Sequence, residues 1–171
     1  GMSMLIHSGL KIIGREGYEI LIDEGINKAR NFADMITEDP DFELITKPEL
    51  NILTYRYCPA VVQQALAVAN KRQAERLNTS LNRITKYLQK TQREHGKAFV
   101  SRTRLTPARY SHFPCIVFRV VLANPLTTPD ILMDILDEQK ELAQENGIAE
   151  EMAILKEVAE TVLKEKETSE G

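Results

Sequence analysis

The chain has 171 residues, is 43% hydrophobic and 27% charged, and carries a formal net charge of -3 with no Trp. That is the composition of an ordinary soluble globular protein, long enough for one domain that buries roughly 70% of its unfolded surface. The acidic balance argues against nucleic acid as a main partner, since phosphate binding needs clustered cations. No run of about 18 apolar residues offers a membrane span, and the N-terminus shows no basic region followed by a hydrophobic core, which predicts no signal peptide.

In chain order, residues 4–15 read as a helix through Leu5, Leu10, Ile12 and Ile13, with Gly14 as the expected stop. A second helix is expected over residues 17–38, where Ile22, Ile26, Ala29, Ala33 and Ile36 share a face flanked by Tyr18 and Phe32. Asp39-Pro40-Asp41 breaks it. Residues 42–46 form a short strand that Pro48 confines to a sheet edge or ends. The next strand, residues 51–57, turns Ile52, Thr54 and Arg56 one way and Leu53, Tyr55 and Tyr57 the other. Residues 59–71 have room for a helical turn. The strongest helix signal covers residues 71–95, with Leu77, Leu81, Ile84 and Leu88 on one face and Gly96 as a left-handed cap.

Residues 99–105 form a third strand, with Phe99, Ser101 and Thr103 opposite Val100, Arg102 and Arg104, and residues 106–114 a loop. Residues 116–122 are almost wholly apolar, which suits a buried strand covered on both faces. Arg119 interrupts that run, and a buried guanidinium is costly unless an anion or a set of acceptors meets it. Asn124-Pro125 then stops the strand, and Thr128 caps a helix that has Pro129 at its first position and Asp130 in its first turn. That helix is expected over residues 130–146, ended by Gly147, and a last one over residues 149–166, with residues 168–171 frayed.

Strands that do not alternate singly with helices favour an α+β fold: a small, three- to four-stranded, mostly antiparallel sheet with helices packed on one face. Arg119 is the leading site candidate, a cation able to grip a substrate carboxylate or phosphate; the competing reading is a structural ion pair or an exposed strand end. Arg102, Arg104 and Arg109, near His112, could form an anion site but read more readily as solvated surface. His7, His95 and His112 lack metal-ligand spacing, and His95 suits a helix C-cap. Cys58 and Cys115 form no redox or metal spacing and read as small apolar residues in a reducing, cytoplasmic setting. Neither a glycine-rich phosphate loop nor a Gly-x-Ser-x-Gly elbow is present, so local motifs show no self-sufficient catalytic apparatus.

Several pieces together carry a resemblance. Gly14-Arg15-Glu16-Gly17-Tyr18 precedes Asp39-Pro40-Asp41-Phe42-Glu43-Leu44, then Pro48-Glu49-Leu50-Asn51-Ile52-Leu53-Thr54-Tyr55-Arg56-Tyr57, and last Phe118-Arg119-Val120-Val121-Leu122-Ala123-Asn124-Pro125 with Thr127-Thr128. In this order they resemble the C-terminal part of the group II pyridoxal-5′-phosphate (PLP) dependent amino-acid decarboxylases, a family that includes glutamate, aromatic L-amino-acid and L-2,4-diaminobutyrate decarboxylases. The resemblance implies the small C-terminal domain of a fold-type I enzyme. By it, residues 1–39 are leading helices that link to a large domain, residues 40–146 are the α+β domain, and residues 147–171 are a C-terminal helix and frayed tail.

The family's Schiff-base lysine motif is not found here, and Lys11, Lys28 and Lys97 sit in no such context. The resemblance therefore implies that PLP serves the complete enzyme, that none binds this chain covalently, and that the chain does not decarboxylate by itself. Its partners would be an upstream PLP-binding domain or a homodimer partner, and an amino-acid substrate. In glutamate decarboxylases the arginine at the place of Arg119 helps to hold a substrate carboxylate. Two other readings stand beside this one: an interaction or regulatory module that kept the fold without the chemistry, and a small-anion-binding domain centred on Arg119.

Overall fold

The computed structural model describes residues 2–96 and 100–171, with the side chains of residues 2–16, 18, 21 and 22 outside the description. Helix α1 (Met2–Glu38) leads into strands β1 (Phe42–Glu49) and β2 (Ile52–Tyr57), then helices α2 (Ala60–Val68) and α3 (Lys71–Glu94). Strand β3 (Val100–Leu105) is followed by a short 3-10 turn (Ala108–Tyr110), strand β4 (Cys115–Val121), and helices α4 (Pro129–Leu142) and α5 (Asn146–Glu170). The four strands form one antiparallel sheet in the order β1-β2-β4-β3. β1 is an edge strand, so Pro48 removes no interior ladder bond.

Three expected boundaries are corrected. Gly14 does not end a helix, and α1 is continuous for 37 residues. Gly costs only about 1 kcal/mol inside a helix, while propagation adds a hydrogen bond for each residue fixed. Gly147 does not end α4, which stops at Leu142; it lies in the first turn of α5. There a Cβ would stand 2.5 Å from the Tyr87 hydroxyl, so the glycine leaves room for that side chain. Helix α5 continues to Glu170, past the frayed end expected, and Thr168 Oγ1 donates back to the Lys164 carbonyl at 3.0 Å.

The ends that match expectation do so through local chemistry. Asn70 and Gln73 close a reciprocal capping box at the start of α3, and Gly96 follows its end with φ 84°. Thr128 accepts from the Ile131 N–H ahead of α4.

The core lies between the helices and the sheet face that carries Leu53, Tyr55, Phe118 and Val120. Ala29, Phe32, Ala33 and Ile36 of α1, with Leu77, Leu81, Ile84 and Leu88 of α3, are buried in it. The expected α1 residues Tyr18 and Ile22 fall outside the described side chains, as does Phe99 ahead of β3. Tyr55 is the hub. Its ring meets Phe32 edge-on at 5.4 Å and Phe118 at 5.2 Å. Its hydroxyl donates to Gln139 Oε1 at 3.0 Å, and Gln139 donates in turn to Gln92 Oε1 at 2.9 Å. This buried chain satisfies polar groups from β2, α4 and α3 and fixes those elements to one another.

Candidate functional site

The other sheet face carries the chemistry. Arg119 stands there on β4, opposite Thr54 of β2 on one side and Ser101 of β3 on the other. It is exposed, and among the described residues its guanidinium has no hydrogen bond or ion pair. The expectation of a strand covered on both faces is thus corrected: Val117, Phe118 and Val120 are buried, whereas Arg119 is open and Val121 is 39% exposed. The loop of residues 106–114 crosses part of this face, where the Tyr110 ring lies over a guanidinium.

Where that loop crosses, it seals a different arginine. Arg56 of β2 is fully buried. Its Nε donates to Glu43 Oε1 at 2.6 Å and its Nη1 to Asn78 Oδ1 of α3 at 2.8 Å, and the Tyr110 ring lies over the guanidinium at 5.1 Å. Glu43 faces Arg56 directly across the β1–β2 ladder and also accepts a short hydrogen bond from the Tyr110 hydroxyl. Arg109 donates to the carbonyls of Leu44 at 3.0 Å and Ile45 at 2.8 Å. The ladder is irregular there, between Leu44 and Thr46, and a bulge leaves such carbonyls unpaired. Asn82 of α3 holds the loop's far end, donating to the Pro114 carbonyl and accepting from the Ile116 N–H. Ser111 and His112 take left-handed φ values of 53° and 60°, a strain that these contacts hold in place.

The electrostatics of the corner follow from its dryness. Burial alone would lower the Arg56 pKa, but Glu43 and, behind it, Cys58, Tyr110 and Cys115 together outweigh burial and keep the guanidinium charged. Burial, reinforced by the Glu43 charge, pushes the Tyr110 hydroxyl well up. Burial also raises the thiols of Cys58 and Cys115 against the opposing pull of Arg56. Both cysteines are buried and unbridged, as small apolar residues would be, and their raised pKa values leave them un-ionised at neutral pH.

The remaining candidates do not converge on Arg119. Arg102 and Arg104 are exposed on edge strand β3. Arg109 is committed to the bulge and to Glu43, 3.7 Å from its Nη1. Beside it, an open cleft of about 610 Å³ runs between residues 44–47 and 105–109, and Arg119 does not line it. His95 caps α3, 4.0 Å from Glu138, and His112 is exposed with Nδ1 against the Thr106 carbonyl. His7 is outside the described side chains. Among the described residues no three His, Cys, Asp or Glu side chains gather around a metal position, and no helix is long and apolar enough to cross a membrane.

The sequence singled out Arg119 and left Arg56 as one member of an alternating strand. The signal that could have found the corner is the pairing of Phe42-Glu43-Leu44 with Tyr55-Arg56-Tyr57, which sets Glu opposite Arg across a short hairpin.

A PLP cradle needs a lysine for the aldehyde, an acid for the pyridine nitrogen and donors for the phosphate. The described residues do not fit that demand: none of their lysines is buried. Lys28 instead donates to the carbonyls of Asn124 and Pro125 at 3.1 and 3.0 Å, and Lys140 pairs with Asp39. No step is therefore routed through PLP on these side chains.

Large exposed apolar side chains collect at one end of the sheet. Leu50 is 69% and Leu126 79% exposed, and Val121 lies on the strand that leads to Leu126. Helix α1 reaches the same end: Gly25 is so close that a Cβ would stand 3.0 Å from the Leu122 carbonyl oxygen. The outer face of α4, by contrast, is apolar only in its first turns, at Ile131 and Met133.

No protein-family model matches the chain. It is 57% identical over 149 residues to an aspartate 1-decarboxylase of Aliivibrio fischeri, a match that covers 87% of this chain and 27% of that protein. It is 27% identical over 139 residues to an aromatic-L-amino-acid decarboxylase of Bacillus atrophaeus, covering 81% of this chain and 25% of the other. A crystal structure of mouse CSAD superposes with a TM-score of 0.64 at 21% identity, over 78% of this chain and 26% of that one. The chain thus spans about a quarter of the length of the curated relatives it matches, and over most of its own length it is similar to the C-terminal region of group II PLP decarboxylases, whose α+β fold it shares.

Proposed function

We propose that this chain is the C-terminal small domain of a longer PLP-dependent decarboxylase acting on L-aspartate, and that Arg119 holds a carboxylate of the substrate. The free guanidinium of Arg119 carries the reading. It stands exposed on a rigid central strand, in a chain that closely resembles an aspartate 1-decarboxylase. Loss of the C1 carboxylate as CO₂, with a proton taking its place, leaves the side-chain carboxylate intact throughout. An arginine suits that constant anion, because its planar fork binds both oxygens at once and never loses its charge.

The chain itself binds and orients. Residues 1–39 link it to a large domain, which supplies the PLP site and covers the apolar sheet end at Leu50, Val121 and Leu126. The neighbours of Arg119 on its strand, Phe118 and Val120, are buried and hold it in place, and Lys28 fixes the turn that follows. The complete enzyme forms a homodimer in the cytoplasm, and this chain alone releases no CO₂.

Immunoblotting of source cells with antibody to this chain should reveal a polypeptide several-fold longer. That polypeptide, purified with PLP, should release CO₂ from L-aspartate. Arg119→Ala should lower kcat/KM by roughly 10- to 100-fold, the worth of a lost charge-assisted contact, with the effect mainly in KM. Unchanged kinetics in that variant would remove Arg119 from the site. A band no longer than this chain would favour a module that keeps the fold without the chemistry.

A further inference from the structure

Residues 76–129 hold ten of the 22 Lys and Arg but only one of the 25 Asp and Glu, Glu94. The fold brings four of those cations to one margin of the sheet. Arg102 and Arg104 of β3 stand opposite Phe118 and Ile116 of β4, so both share the sheet face of the buried Phe118. On that face α3 reaches β3 through Gln89, whose Nε2 donates to the Val100 carbonyl at 3.4 Å, while Gln92 turns to the Ile135 carbonyl of α4. Lys86 and Arg93, three residues before Gln89 and four after it, stand beside it on the flank away from Gln92. All four cations are exposed, and among the described residues none of their side chains makes a hydrogen bond or ion pair.

The backbone beside them is open too. Among the described residues β3 pairs only with β4 and ends the sheet. Every second residue of such an edge turns its N–H and C=O away from the ladder. Arg102 and Arg104 are about 6.8 Å apart along the strand, the same repeat as alternate side chains of a strand laid next to it. An incoming strand with carboxylates at every second position therefore sets them against guanidinium groups on the α3 side. Its other side chains meet Ser101 and Thr103 on the opposite face. A nucleic-acid strand has no peptide groups to extend the ladder. A second β3 would bring Arg102 and Arg104 against their own copies, like charges directly opposite.

We propose that the β3 edge is a docking surface for an extended acidic peptide segment of a partner protein. The segment adds a fifth strand to the four-stranded sheet through its backbone and pairs its carboxylates with Arg102, Arg104, Lys86 and Arg93. This inference does not rest on the decarboxylase reading.

The probe is a synthetic peptide, Thr-Glu-Thr-Glu-Thr-Glu-Thr, carrying a terminal fluorophore and titrated with the 171-residue chain by anisotropy. Saturable binding in about 20 mM NaCl is expected, weakened at least about fivefold in about 300 mM NaCl, because exposed charge pairs are screened. Amide exchange across residues 100–105 should slow on binding, the mark of new backbone bonds. Arg102→Glu with Arg104→Glu should lose this peptide and take up its counterpart with Lys in place of Glu, a reversal that a misfolded variant could not show. The proposal is overturned if the unaltered chain does not bind the peptide at low salt, in which case the arginines only shield the edge. It is overturned equally if the peptide N-methylated at every residue, or an oligothymidylate of equal charge, binds as tightly, since charge alone then accounts for the binding.

Discussion

Two arginines on the same sheet face, on adjacent strands, meet opposite fates. Arg56 of β2 is sealed under a loop, in contact with Glu43, Asn78 and Tyr110. Arg119 of β4 stands in the open, with nothing in the described chain to hold its charge. The surrounding sequence suggests the reverse, because Arg119 interrupts the more apolar run. The difference shows that strand composition does not decide burial on this face. What decides it is which part of the face the 106–114 loop crosses. A guanidinium under that loop must be paired to remain charged, while one beyond it is free to meet a ligand.

The largest effect is expected at Glu43. Glu43→Ala leaves the Arg56 charge buried without its carboxylate and should cost about 3–5 kcal/mol in denaturant unfolding. A loss below about 1 kcal/mol would mean that water reaches Arg56 and that the contrast with Arg119 is false.

Alkaline pH attacks the same corner from another side. Tyr110 and the core hydroxyl of Tyr55 are held well above the usual tyrosine range by burial, and Tyr57 is raised to about 12. Groups raised in the fold give stability that is complete below their unfolded pKa near 10 and is lost as pH climbs through the folded value. Unfolding free energy should therefore decline from about pH 10 upward. Tyr110→Phe should flatten part of that decline; an unchanged slope would place Tyr110 in solvent.

Arg109→Ala removes two donors from the bulge carbonyls of Leu44 and Ile45, but at a site already half open. A loss of about 1 kcal/mol is expected, with faster amide exchange across residues 106–114. The smallest stability effect should come from Arg119→Ala, within about 0.5 kcal/mol of the unaltered chain. A large loss there would show that Arg119 supports the fold and would weaken its assignment to a substrate.

Much of this protein is fixed by local rules. The 3.6-residue period of α3, the glycine at position 96, the Thr128-Pro129 start of α4 and the strand alternation at residues 52–57 are all properties of a few neighbouring residues. They are legible because short-range sterics and hydrogen bonding specify them. The misread boundaries have the same origin turned around. Gly14 and Gly147 carry stop signals that a long helix and a close-packed Tyr87 override. Arg119 as a candidate was legible as a cation in an apolar strand. Its exposure was not, since exposure depends on a loop that joins β3 to β4 and then crosses to β1. The Arg56–Glu43–Tyr110 corner brings together residues up to 67 positions apart. Only tertiary structure assembles it, because the desolvation that makes those charges pair exists only once the loop has closed over the sheet.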